Sequence, residues 1–132
     1  MHYSDLNHHL VKLAFYVILE AVERLALDSL RPVKGSDEYL RSNLPPQRFQ
    51  QIEHQYKRAG DAAQSLFNYL NIADILRLAI KEGSIRLDER VIKDIKRVRN
   101  GAAHALENLV ADHDDLQRLA NVRRECLRVL GA

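Results

Sequence analysis

Apolar residues recur at three- and four-residue spacings from Leu6 through Leu10, Leu13, Ala14, Val17, Ile18, Ala21 and Val22 to Leu25. This periodicity is that of a helix face and not of a strand. Asp5 stands where an N-cap would begin the helix. Pro32 cannot continue it, so the element closes near Leu30. A helix of that length spans ~38 Å. One small domain cannot enclose it on all sides, and one end is expected to meet a partner, such as a second copy of the chain.

The rest of the 132-residue chain agrees with this opening. Five Gly and three Pro are too few for a sandwich of short strands. Charged residues make up 29% and hydrophobic residues 46%, the balance of a globular protein with enough apolar side chain to offset ordering. Residues 32–44 read as an ordered loop with a short turn at Asp37 to Arg41. Pro45-Pro46 suits the first turn of a second helix bearing Phe49, Ile52, Glu53 and Tyr56, ending near Gly60. A third helical stretch is expected from about Asp61, carrying Ala62, Leu66, Tyr69 and Leu70. Asn71 and Asp74 are spaced as a reciprocal cap, so a break falls there. Ile75, Leu76, Leu78, Ala79 and Ile80 follow as an apolar side, and Gly83 is placed to end that helix. Asp88 caps the next, with Val91, Ile92, Ile95, Val98 and Ala102 inward. Asp112 and Asp115 open a last helix that buries Leu116, Leu119, Val122, Cys126, Val129 and Leu130. No segment has a strand pattern. The expectation is an all-α antiparallel helical bundle of four to five helices, occupying 1–132 as a single domain.

Several functions are disfavoured by the residue inventory. No apolar run is long enough to span a membrane, and the N-terminus lacks the pattern of a secretory signal. The lone Cys126 cannot form an internal disulfide, which fits a cytoplasmic location and a buried structural role. Nucleotide-loop and paired-cysteine motifs are absent. His8 and His9 are adjacent on a helix, so their rings point about 100° apart and do not converge on a metal. His113 with Asp112, Asp114 and Asp115 is explained by helix capping and by the preference of acids for helix N-termini. Neither metal nor cofactor is expected. The net charge of +2 is too mild to identify a nucleic-acid partner.

One cluster carries chemistry: Arg99-Asn100-Gly101-Ala102-Ala103-His104. With 14 Arg and 6 His in the chain, Arg-x4-His alone is expected by chance roughly 0.6 times. Requiring Asn directly after the Arg, with 7 Asn available, lowers this to roughly 0.03. His titrates near neutral pH and can move a proton. Arg offers a permanent charge and a fork for phosphate oxygens. Asn can orient the imidazole or bind phosphate. Together they suit RNA cleavage by the substrate's own 2′-hydroxyl, which needs no metal. That reaction calls for a base and an acid, and a symmetric dimer supplies a second histidine. Arg99 and His104 lie ~140° apart on a straight helix, so their convergence requires a distortion near Gly101 or a partner chain. The bland alternative pairs Arg99 with a carboxylate and leaves His104 at a helix end.

The cluster resembles the R-N-x-x-x-H form of the R-x4–6-H motif of HEPN domains. Asn71-Ile72-Ala73-Asp74-Ile75-Leu76-Arg77-Leu78-Ala79 supplies similar context one helix earlier. Ser4-Asp5-Leu6-Asn7 leading into a long helix is similar to HEPN-like domains that follow CBS-domain pairs. The resemblance implies a helical bundle that dimerises around a shared cleft, with Arg99 and His104 catalytic and Asn100 assisting. For many members it implies metal-independent endoribonuclease activity in toxin–antitoxin or defence systems. Lys93, Lys96 and Arg97 are the expected RNA phosphate contacts, and an antitoxin or sensor is expected as a separate chain. Other members are non-catalytic modules that bind a protein or a nucleotide, which is the alternative expectation.

Overall fold

The computed structural model describes residues 3–60, 65–100 and 113–131, with side chains from Tyr16 onward except those of Asn100, His113, Asp115 and Leu116. Among the described residues there are six α-helices and no strand. They are α1 (Tyr3–Ser29), α2 (Asp37–Asn43), α3 (Pro46–Arg58), α4 (Ile72–Lys81), α5 (Glu89–Asn100) and α6 (His113–Val129). The chain is therefore an all-α helical bundle. α1 packs on α4, α5 and α6, α4 on α5, and α5 on α6, while α2 and α3 pack against each other.

α1 ends as its sequence predicts. Leu30 closes its last turn, and Pro32 sits in a 3-10 turn over Arg31–Val33. Its 27 residues extend about 40 Å. The buried stripe is Leu19, Val22, Ala26 and Leu30, at helical spacing. Val17 and Leu25, expected on the inward face, are instead 67% and 40% exposed. The apolar arc of α1 is wider than its neighbours can cover, so its edges stay in solvent.

Residues 37–43 form a full short helix where only a turn was expected. Ser36 caps it by accepting from the Tyr39 N–H at 3.2 Å. Asp37 and Glu38 favour its N-terminus. Its end is tied to α4 by the Tyr39 hydroxyl donating to Glu82 at 2.7 Å and by Lys81 Nζ donating to the Asn43 carbonyl at 2.7 Å. Burial, reinforced by Glu82, pushes the Tyr39 phenol well above its usual range. α3 begins at Pro46 and buries Phe49 and Ile52. Tyr56 stays exposed at its rim, edge-on to Tyr69 with ring centroids 6.3 Å apart.

The expected helix beginning near Asp61 is corrected over its described part. Leu66–Tyr69 is a 3-10 turn, capped by Ser65 accepting from the Phe67 N–H at 3.2 Å. Residues 61–64, including the expected start, lie outside the described residues. The turn is held short because Leu70 and Asn71 are extended, as the entry into α4 requires.

α4 is the most deeply buried of the described helices. Asn71 Oδ1 accepts from the Asp74 N–H at 2.9 Å, and Asp74 Oδ2 accepts from the Asn71 N–H at 3.0 Å, completing the predicted reciprocal cap. Ile72, Ala73, Asp74, Ile75, Leu76, Leu78 and Ala79 are all buried. At the other end Gly83 adopts φ +76°, with Gly83 N–H donating to Ile80 and Ser84 N–H to Ala79. That is the Schellman closure, which requires a residue at ease with positive φ. α5 buries Val91, Ile92, Ile95 and Val98, and α6 buries Leu119, Val122 and Cys126. Both stripes follow the expected spacings. Ala102 and Asp112 lie outside the described residues.

Candidate functional site

The core stripe of α5 fixes the directions of its polar residues. Lys93, Lys96 and Arg97 are exposed and fall on the face of α5 opposite the core. Arg99 lies about 110° round the helix from the middle of that face, on the flank toward α1. Three of the four basic residues singled out on α5 thus share one solvent-facing surface, and Arg99 is turned away from it.

Arg99 is half-buried against α1. Its Nη1 donates to Glu23 Oε2 at 2.6 Å, and the two side chains are 32% and 23% exposed. Its guanidinium carbon lies 5.9 Å from the ring centroid of Tyr16. Tyr16 and Glu23 are seven residues apart on α1, two turns along one flank, and together they hold the guanidinium between a ring and a carboxylate. The bond to Glu23 takes one of five N–H donors on the fork, so the ion pair positions the group without exhausting it. Glu23 and Tyr16 were not anticipated. A glutamate on a helix flank looks like any solvated acid until the fold carries it across 76 positions of sequence to its partner.

Asn100 is the last described residue of α5, and its side chain is outside the described set, as is all of His104. The expected convergence of Arg99 with His104, and the distortion at Gly101, therefore fall outside the described residues. The side chains of His8, His9 and His113 do so as well.

Two further charges frame the α4–α5 junction. Arg77 donates through Nε to Glu89 Oε1 at 2.9 Å and also through Nη2. The Arg77 guanidinium, helped by the charge of Lys93, holds the Glu89 carboxyl below its usual range against a smaller opposing effect of burial. Lys96 lines a cleft between α5, α4 and the start of α3.

Cys126 is fully buried on α6, and burial, with Glu125 adding to it, pushes the thiol up to about 11. Such a thiol is a packing group and a poor nucleophile. Among the described residues no cluster of three His, Cys, Asp or Glu side chains could hold a metal ion. No described helix is long and apolar enough to cross a membrane.

The fold defines the class, an all-α helical bundle with a basic face on α5. Comparison with protein-family models, curated proteins and solved structures returned no match.

Proposed function

We propose that this chain is a HEPN-like domain that acts in the cytoplasm as a homodimer and cleaves RNA without a metal, in a toxin–antitoxin or defence-type role. The observation that supports this reading is the placement of Arg99-Asn100 at the end of the described part of α5. There the guanidinium is fixed by Glu23 and Tyr16, and the adjoining solvent face carries Lys93, Lys96 and Arg97. The lysines and Arg97 hold the RNA backbone. His104, four residues beyond Asn100, takes the proton of the ribose 2′-hydroxyl, and the 2′-oxygen attacks the adjacent phosphorus. The bond to the 5′-oxygen breaks as the partner copy's histidine protonates that oxygen. Arg99 stabilises the charge that builds on the phosphate oxygens. The product is a 2′,3′-cyclic phosphate. An antitoxin or sensor protein would act as a separate chain that restrains this activity.

The test is incubation of the purified chain with RNA in EDTA. Strands ending in 2′,3′-cyclic phosphate are expected, with the activity lost in His104→Ala and Arg99→Ala. Intact RNA at high protein concentration, together with no toxicity on expression in cells, refutes the reading.

A second reading is a non-catalytic dimerisation or regulatory module. It is favoured by the Arg99–Glu23 ion pair, which gives the arginine a structural task, and by the exposed Val17 of α1. Under it, Arg99→Ala changes stability but no activity, and Val17→Asp changes the oligomeric state measured by light scattering. Val17 is exposed enough that this substitution leaves the fold intact.

A further inference from the structure

The cleft that Lys96 lines is distinct from the surroundings of Arg99. It has a volume of about 490 Å³, within the usual range of small-molecule sites. Its lining includes four cationic side chains, Arg48, Arg77, Lys81 and Lys96, and a single carboxylate, Asp74. These charges are not equivalent. Arg48 is spent on Asp74, with Nη2 to Oδ2 at 2.8 Å and Nε to the same oxygen at 3.0 Å. Arg77 is balanced by Glu89. Among the described residues Lys81 donates to a neutral acceptor, the Asn43 carbonyl, and has no carboxylate partner, which leaves two of its N–H donors for other acceptors. Lys96 has no ion pair among the described residues.

Two ammonium groups, one from α4 and one from α5, thus line one recess, and neither is paired with a carboxylate among the described residues. The recess is braced on three sides. Arg48–Asp74 joins α3 to α4, Lys81–Asn43 joins α4 to the end of α2, and Arg77–Glu89 joins α4 to α5. Elements tied in this way hold their charges in place before a ligand arrives, which lowers the ordering cost of binding. The remaining wall includes Leu44, Pro45 and Leu78, an apolar strip beside the charges.

We propose that this cleft binds a small organic phosphate, its phosphate between Lys81 and Lys96 and its organic part against Leu44, Pro45 and Leu78. A phosphate supplies the negative charge the two lysines lack, and the apolar strip suits a ring rather than a bare ion. This assignment goes beyond RNA cleavage: the cleft shares Lys96 with the proposed RNA face, but Lys81, Leu44, Pro45 and Leu78 belong to the cleft alone, and Arg99 and His104 take no part.

The experiment is calorimetric titration of the whole chain with ADP, with inorganic pyrophosphate and with a short uridine RNA, in the absence of divalent cations. ADP is expected to bind more tightly than pyrophosphate. Lys96→Gln and Lys81→Gln should each weaken ADP binding roughly tenfold, as loss of one charge-assisted contact implies. Lys34→Gln, in the connection between α1 and α2, should leave it unchanged. Lys96 is exposed and its replacement does not disturb folding, which circular dichroism verifies for each variant. RNA binding through the two lysines without ADP binding assigns the phosphate seat to a polymer and overturns the small-ligand assignment. No binding of any probe, or ADP binding that the lysine variants leave intact, overturns the site itself.

Discussion

Asp74 is a buried carboxylate in the first turn of α4, 3% exposed, and two kinds of interaction meet on it. It accepts the Asn71 N–H as half of the cap of α4, and it accepts Nε and Nη2 of Arg48 from α3. Asp74→Ala removes both. The Arg48 side chain, only 23% exposed, then keeps its charge without its partner. Breaking a buried pair in this way costs about 3–5 kcal/mol, while loss of a cap alone costs about 1 kcal/mol. The two losses share one side chain and do not simply add. The expected destabilisation is about 3–5 kcal/mol, or a fall in Tm of roughly 10–20 °C for a chain of this length. Asn71→Ala breaks the cap but spares the ion pair, and should cost about 1 kcal/mol. Asp74→Asn keeps a cap acceptor and should fall between them. Urea titrations followed by circular dichroism at 222 nm measure all three. If Asp74→Ala is no worse than Asn71→Ala, the Arg48–Asp74 pair adds nothing and the account of α3 docking on α4 is wrong.

Two other expectations concern α1 and α6. Arg99→Ala and Glu23→Ala should each destabilise the chain by about 1 kcal/mol, a value discounted because both groups retain solvent contact. Their double-mutant cycle in urea should show that the losses are shared, and strict additivity would mean the bond between α5 and α1 is energetically silent. Cys126 gives a pH signature. Its thiol is neutral in both folded and unfolded chains below about pH 9, its ordinary value, so the full stability is present there. Between that value and about 11 the unfolded chain ionises first, and stability should fall as pH rises through this window. Cys126→Ala should remove the thiol's share of that slope, most clearly between pH 9 and 10, below the range where Tyr39 adds its own, and an unchanged slope there would show that the thiol is not shielded as described.

Much of the architecture follows from local rules. The end of α1 at Pro32, the reciprocal cap of Asn71 and Asp74, the closure at Gly83 and the inward stripes of α5 and α6 depend on residues within about one or two turns of each other. A single chain segment therefore contains the information. α2 was expected only as a turn at Asp37 to Arg41, because so short a helix depends on its ties to Lys81 and Glu82 about forty positions away. The 3-10 turn at Leu66–Tyr69 was misread because its apolar spacing also suits an α-helix, and only the docking of α4 selects between them. On α1, periodicity identified a helix but not which part of a wide apolar arc would be covered, so Val17 and Leu25 were misassigned. The candidate site divides in the same way. The motif Arg99-Asn100 and the basic run on α5 can be recognised from adjacent residues. The turning of Arg99 toward Glu23 and Tyr16, and the placing of Lys81 and Lys96 along one cleft, are consequences of how the helices pack, because residues far apart in sequence become neighbours only when the bundle closes.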